Sequence, residues 1–143
     1  MAIKQLTVFV PNKKGTLVSI TNALAANNIN IRALSIAETE GFGILRMIVN
    51  DESAAEKTLT AEGNVIKVVD VVGVKISDEP GKLTDALEVI SKADINLEYL
   101  YAFMSRTEKH AYVVLRVEDN EAAENALTAA GFKLITEADI AKL

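Results

Sequence analysis

Two short segments place glycine and polar residues at points where a helix is about to begin. The first runs from Asn12 through Gly15 to Leu17, and the second from Asp78 through Gly81 to Leu83. A helix N-terminus has unpaired N–H groups and a partial positive charge, so it can receive a carboxylate. Glycine has no Cβ and lets a ligand approach the backbone closely. The polar residue that opens each segment can cap the helix or accept hydrogen bonds from an ammonium group. Each turn therefore offers the two kinds of group that a free amino acid requires.

The two turns belong to an internal duplication. Gly15 recurs as Gly81, and the segment Asn-Ile-Asn-Ile that ends at Ile31 recurs at the same spacing as Asp-Ile-Asn-Leu ending at Leu97. Farther along the chain the spacing is slightly larger, as between Gly63 and Gly131. A repeat of this kind fixes the architecture before individual elements are assigned. The difference in spacing indicates a short insertion between positions 97 and 117 of the second copy.

Hydrophobic periodicity predicts the same order of elements in both copies. In the first copy we expect strands near 3–10, 30–38, 43–50 and 65–71, with helices near 17–27 and 51–62. In the second copy we expect strands near 71–77, 96–104, 111–117 and 133–136, helices near 82–92 and 120–130, and a helical tail over 137–143. Asp51 or Ser53 can cap the second helix. The order β-α-β-β-α-β is the ferredoxin-like unit. Two α+β domains, 1–71 and 72–143, follow from it.

Composition narrows the classes of function. Half of the 143 residues are hydrophobic, 24% are charged, the net charge is −5, and there is no cysteine. An acidic chain is poorly suited to bind nucleic acid, whose phosphates require clustered Lys and Arg. Without cysteine there is no thiol nucleophile or Cys-based metal site. No segment approaches the roughly 18 apolar residues of a membrane span. We expect a cytoplasmic protein with no nucleic-acid or membrane partner, no metal and no cofactor.

Individual motifs can be compared with those of RNA-binding proteins and of enzymes. Gly41-Phe42-Gly43 stands where the RNA-recognition motif, which has the same fold, carries a similar sequence, but Ile44 and Met47 occupy its stacking positions. Without aromatic residues there, no platform for bases forms. His110 is the single histidine, and no nucleophile–base pair or phosphate-binding loop is visible. We therefore predict neither an RNA-binding protein nor an enzyme.

The repeated turn, placed at the first helix of a β-α-β-β-α-β unit, resembles the ACT domain, and the whole chain looks like a tandem pair of such domains. The resemblance implies a regulatory protein that binds a small molecule, most often an amino acid. It also implies antiparallel sheets paired side by side through their second strands, with helices on one face. The ligand would lie at the interface of the two ACT-like units. The implied ligand-binding residues come from both turns and from the start of both second strands: Asn12, Lys14, Gly15, Thr16, Leu17, Asn30, Ile31, Asp78, Pro80, Gly81, Lys82, Leu83, Asn96 and Leu97.

The sequence-based prediction is thus a freestanding amino-acid-binding regulatory protein without catalysis. Its partners would be a free amino acid or similar small metabolite, a second copy in a homodimer, and a regulated enzyme or regulator. The turns differ in charge, because Lys13 and Lys14 flank the first while Asp78 and Glu79 open the second. The first should favour an anionic group and the second a cationic one. The alternative is a structural or protein-interaction module in which the turns are only turns.

Overall fold

The computed structural model describes residues 2–104 and 109–143 and confirms the predicted order of elements. The elements are β1 (Ile3–Pro11), α1 (Thr16–Ala26), β2 (Ile31–Thr39), β3 (Phe42–Val49), α2 (Glu52–Ala61), β4 (Val65–Ser77), α3 (Lys82–Lys92), β5 (Leu97–Ala102), β6 (His110–Val117), α4 (Asn120–Ala129), β7 (Lys133–Ile135) and α5 (Glu137–Lys142). The last strand of the first copy and the first strand of the second form the single long strand β4. No linker interrupts this strand.

The chain folds into two compact units. The N-terminal unit comprises Lys4–Val69, and the C-terminal unit comprises Asp70–Leu143 together with Ala2 and Ile3. In the N-terminal unit the strand order is β2-β3-β1 followed by the first part of β4, and in the C-terminal unit it is β5-β6-β4-β7. The pairs β1–β3, β2–β3, β4–β6, β4–β7 and β5–β6 are all antiparallel. This is the ferredoxin-like order in both units, which confirms the predicted fold class.

Each unit buries one face of its sheet beneath its two long helices. Successive residues of a strand point to opposite faces, so alternate residues of β1 and β4 enter the cores. The N-terminal core contains Leu6, Val8, Val10, Ile20, Leu24, Leu45, Met47 and Leu59, and the C-terminal core contains Val72, Val74, Ile76, Ala86, Ile90, Leu115, Val117 and Leu127. Leu59 and Leu127 stand at matching positions of α2 and α4 and are both fully buried.

The short helix α5 is the exception to the arrangement with helices on one face. Lys75 and Tyr112 are paired in the sheet and point away from the core that Val74 enters, yet both line a cavity together with Asp139 of α5. Ile140 of α5 is 1% exposed. This helix therefore covers part of the face opposite α3 and α4, and the C-terminal unit has a third layer that the resemblance did not imply.

The second strands lie at the edges of their own units. Within the N-terminal unit β2 pairs with β3, and within the C-terminal unit β5 pairs with β6. An edge strand has a row of backbone N–H and C=O groups directed away from its own sheet. Pairing through the second strands stays a prediction. Among the described residues no helix is long and apolar enough to cross a membrane.

Candidate ligand-binding site

The turn between β1 and α1 depends on the backbone conformation of one glycine. Gly15 is the N-cap of α1 with φ 82°, and Gly81 is the N-cap of α3 with φ 86°. Positive φ is the left-handed region, which glycine enters without steric cost. A Cβ built on either glycine would meet no atom within 4 Å. The sequence therefore keeps glycine here because of the backbone angle, and the space above each glycine is open.

The helices that follow the glycine turns have no side-chain cap, whereas the second helix of each unit has one. Asp51, one of the two predicted caps, accepts a hydrogen bond from Ala54 N–H at 3.1 Å, and Asp119 accepts one from Ala122 N–H at 3.0 Å. No side chain caps α1 or α3 in the described part of the chain, so the structure does not show the capping role predicted as one option for Asn12 and Asp78.

Backbone donors at the start of α1 are consequently available. Thr16 N–H donates to the Lys13 carbonyl at 3.4 Å, and Ser19 N–H donates to the Gly15 carbonyl at 3.0 Å. Between them, the N–H groups of Leu17 and Val18 have no backbone acceptor among the described residues. The first turn of α1 also carries no acidic residue. Its partial positive charge is therefore not neutralised from within the helix.

A groove of 260 Å³ opens beside this helix start. Its walls come from the turn (Asn12, Lys13, Thr16 and Leu17), the end of β2 (Ile36–Glu38) and the start of β3 (Phe42 and Gly43). Three of the predicted residues, Asn12, Thr16 and Leu17, therefore line one groove. Lys14 and Gly15 belong to the turn but do not line the groove.

Gly43 lines the groove at the start of β3, together with Val10 and Ile36. A Cβ at this position would lie 3.2 Å from Val10 Cγ2 and 3.4 Å from Ile36 Cδ1. In the alignment of the copies that matches Gly63 with Gly131, its counterpart is Ala111. A methyl group on Gly43 would press on Val10 and Ile36, which also line the groove, whereas the second copy carries that methyl group at Ala111. Sequence reasoning missed Ile36, Glu38 and Gly43; the second glycine of Gly41-Phe42-Gly43 was the available signal.

The groove has both polar and apolar lining residues. The uncapped start of α1 and Lys13 lie at one wall, and the exposed carboxylate of Glu38 lies at another. Leu17 and Ile36, which are 39% and 52% exposed, are the large aliphatic side chains of the lining. The walls can thus receive a carboxylate, an ammonium group and a short apolar side chain.

Asn30 and Ile31 lie away from the turn within their own unit. Asn30 N–H donates to Asn50 Oδ1 at 2.9 Å, and its carbonyl accepts from Asn50 N–H at 3.1 Å. This is the end of β2 opposite to Ala37, which lines the groove, and at about 3.3 Å per residue the two ends are roughly 20 Å apart. The N-terminal unit alone does not bring the predicted segments together. The site combining them across the unit interface stays a prediction.

The turn of the C-terminal unit has different electrostatics. Asp78, Pro80, Gly81 and Leu83 occupy the predicted positions before and at the start of α3, and the Lys82 ammonium makes a salt bridge of 3.7 Å to Asp85 in the first turn. Because α3 supplies its own carboxylate, its N-terminus is less able to attract an anion.

Asn96 and Leu97 lie at the start of β5, the second strand of the C-terminal unit. They line an open cleft of 570 Å³ that also includes Asp94 and Glu118. The Asn96 N–H donates to Glu118 Oε1 at 3.3 Å. No group of three His, Asp or Glu residues within 2–104 and 109–143 could hold a metal ion.

Known proteins share this architecture. A family model described as an ACT domain pair matches residues 1–143. The crystal structure of protein BT0572 from Bacteroides thetaiotaomicron is similar, with 37% sequence identity over 100% of this chain and 98% of that chain and a TM-score of 0.93. The ligand-free regulatory subunit of aspartate kinase from Thermus thermophilus has 19% identity, coverage of 90% and 91%, and a TM-score of 0.66, which shows a shared fold. No curated protein matches the sequence.

Proposed function

The chain belongs to the ACT domain pair family, a family of regulatory domains, and from that premise we propose that it is a freestanding regulatory protein that binds a free amino acid and catalyses no reaction. The groove at the Gly15 turn carries this proposal, because the first residues of α1, which has no side-chain cap, and the exposed residue Glu38 line one cavity of 260 Å³. The ligand carboxylate accepts from the first turn of α1, and its ammonium group faces Glu38.

The size of the groove and its bonding capacity suit a small zwitterion. A hydrogen bond to a charged group contributes about 1.5–3 kcal/mol net. Two or three of these, less the cost of ordering the ligand, correspond to roughly micromolar to millimolar dissociation constants. Affinity in this range suits a sensor of a free metabolite, since it leaves the protein responsive to changes in concentration.

The structural neighbours are consistent with a regulatory role. The Thermus thermophilus protein with the same fold is a regulatory subunit of aspartate kinase. In our proposal this chain likewise acts on another protein, an enzyme or a regulator, and ligand binding changes the surface that this partner contacts. Self-association as a homodimer is part of the same proposal.

A thermal-shift screen against the twenty amino acids, followed by calorimetry, tests the proposal. A ligand that binds only the native state raises the melting temperature by mass action. The informative variant is Ile36→Glu, which places a second carboxylate in the groove; the matched control is Val65→Glu, at a strand residue of the same unit that is 65% exposed and outside the groove. We expect a selective shift whose affinity falls by about tenfold or more in the first variant, equivalent to about 1.4 kcal/mol.

Equal loss of affinity in Ile36→Glu and Val65→Glu would place the ligand elsewhere. A flat screen at millimolar concentrations would favour the alternative, an interaction module without a small ligand. One observation supports that alternative: the N-terminal unit exposes the large apolar side chains Phe9, Leu17, Val18, Ile36, Phe42 and Val65. Phe9 and Phe42 form a tilted pair with ring centroids 6.2 Å apart.

A further inference from the structure

A row of three side chains crosses the C-terminal sheet on the face opposite α3 and α4. Tyr112 of β6 pairs directly with Lys75 of β4, and Lys75 pairs directly with Lys133 of β7. Directly paired residues place their Cβ atoms about 4.5–5.5 Å apart on one face, where like charges destabilise the sheet. Neither lysine makes a salt bridge within the described part of the chain. Two adjacent positive charges are therefore kept at some cost to stability.

A cavity of 150 Å³ lies over this row and is bordered by α5. Besides the row, its lining includes Asp139 and Lys142 of α5 and the apolar residues Leu134, Ile135 and Leu143. The side chains of the lining carry three ammonium groups and one carboxylate, a net charge of +2 in a chain whose total is −5. The cavity is therefore positively charged although the protein as a whole is negatively charged.

The one side-chain carboxylate of the cavity is engaged by its own helix. Asp139 Oδ2 accepts from Thr136 N–H at 2.9 Å and from Thr136 O–H at 3.0 Å, while Asp139 N–H donates to Thr136 Oγ1 at 3.2 Å. These bonds lower the pKa of Asp139, with a smaller contribution from Lys133 and Lys142. The capping box and the buried Ile140 fix α5 over the row. Asp139 therefore positions the helix and forms no salt bridge with the lysines in the described part of the chain.

The first copy shows that the fold does not require these lysines. In the N-terminal unit Phe9 pairs with Ile44 in the register in which Lys75 pairs with Tyr112. The alignment that matches Gly63 with Gly131 makes Val65 the counterpart of Lys133. The corresponding row is apolar in a unit of the same fold. The lysines of the second copy are therefore not needed to form this fold.

We propose that the cavity lined by Lys75, Tyr112, Lys133 and Lys142, here called the three-lysine pocket, binds a phosphate group. Lysine supplies compact positive charges that suit phosphate, and the Tyr112 hydroxyl adds a further donor. At 150 Å³ the pocket is smaller than the roughly 300–1,000 Å³ of clefts for drug-sized ligands. It accommodates the phosphate group of a free ion or of a small phosphomonoester. This site is separate from the amino-acid groove and does not depend on it.

Calorimetric titration of the full chain with inorganic phosphate and, separately, with glycerol 3-phosphate tests the site at low ionic strength. The test variant is Lys75→Gln/Lys133→Gln. The matched control is Lys57→Gln/Lys67→Gln, which removes the same charge from exposed positions of the N-terminal unit. We expect saturable binding that weakens by about tenfold or more in the test variant, because each ammonium group bonds the anion directly, and by less than about twofold in the control.

Several results separate the proposal from general charge effects. If inorganic phosphate binds and glycerol 3-phosphate does not, the natural ligand is the free ion. If glycerol 3-phosphate binds more tightly than inorganic phosphate, the natural ligand is a phosphorylated metabolite. Absence of saturable binding, or equal weakening in test and control variants, overturns the proposal. If the test variant fails to fold, Lys142→Gln replaces it, since Lys142 lies on α5 outside the sheet. Unchanged affinity in Lys142→Gln also counts against the three-lysine pocket.

Discussion

The two copies share a backbone and a core but differ at two surface sites. The first copy has Gly43 in the lining of its groove, and the second has Ala111 at the corresponding position. Conversely, Phe9 of the first copy is exposed and apolar where the second copy has Lys75. The buried core residues of the two copies are similar, whereas residues that line the groove and the three-lysine pocket differ. This difference supports our proposals of an amino-acid groove in the first copy and a phosphate pocket in the second.

The equivalence of the two cores predicts the largest effect. Leu59→Ala and Leu127→Ala each remove a fully buried side chain at the same point of the repeat, so each should cost about 2–5 kcal/mol of unfolding free energy. The two losses of unfolding free energy should agree within about 1 kcal/mol, because each substitution removes the same side-chain atoms from an equivalent position of the core. Urea unfolding of both variants measures this. A much smaller loss in one copy would show that its core relaxes more easily and would break the comparison.

Crowding the lining of the groove should separate ligand binding from stability. Gly43→Ala places a methyl group against Val10 and Ile36, and we expect amino-acid affinity to fall by about tenfold, or about 1.4 kcal/mol. The control is Gly73→Ala, another crowded strand glycine, whose Cβ would lie 3.1 Å from Ile135 Cβ. Calorimetric titration of both variants with the amino acid identified in the thermal-shift screen measures the two affinities. Affinity that falls in Gly73→Ala as well would show that crowding of the sheet, not the groove, is responsible.

The capping residues should give a smaller and selective effect. Asp51→Ala and Asp119→Ala each remove a cap and should cost about 1 kcal/mol. Asn12→Ala and Asp78→Ala should change stability by less than about 0.5 kcal/mol, because neither side chain caps its helix. Chemical unfolding of the four single variants provides the comparison. A cost of about 1 kcal/mol at Asn12 would mean that it holds the turn after all.

The smallest effect should come from pH, and only the second copy contains the responsible group. The folded pKa of Asp139 lies below its usual value because Thr136 N–H and O–H bond the ionised carboxylate. Its contribution to stability is therefore present above the unfolded pKa of about 3.9 and lost as pH falls through the folded pKa. Thr136→Val should lose less stability than the wild type between about pH 5 and 2. If acid-unfolding curves show the same loss of stability in the wild type and in Thr136→Val, the Thr136–Asp139 hydrogen bonds do not contribute to the pH dependence.

Local patterns predicted most of the fold because they report local energetics. The apolar spacing of Leu83, Ala86, Leu87 and Ile90 predicts one buried face of a helix, and α3 spans the predicted Lys82–Lys92. Asp51 was identified as a possible cap because its side chain acts on N–H groups only a few residues away. The duplication then supplied the order of strands, since two copies of one pattern constrain each other.

The candidate sites could be predicted only in part. Asn12, Thr16 and Leu17 were identified because they stand in one turn, whereas Ile36, Glu38 and Gly43 reach the same groove from β2 and β3. Strand pairing brings them there through the register of Val10 with Gly43, and single-sequence patterns do not fix register. The three-lysine pocket was missed for the same reason, because Lys75 is far from Lys133 and Lys142 in the sequence and strand pairing brings it next to Lys133.

By itself the sequence determined that this protein is two ferredoxin-like units with a glycine turn before the first helix of each. Those features depend on periodicity, backbone angles and caps, which act over a few residues. Only the tertiary structure decided which side chains share a cavity: Glu38 with the start of α1 in one unit, and Lys75 with Lys142 beneath α5 in the other. Electrostatic and packing energies depend on distances between residues remote in the chain, and folding alone sets those distances.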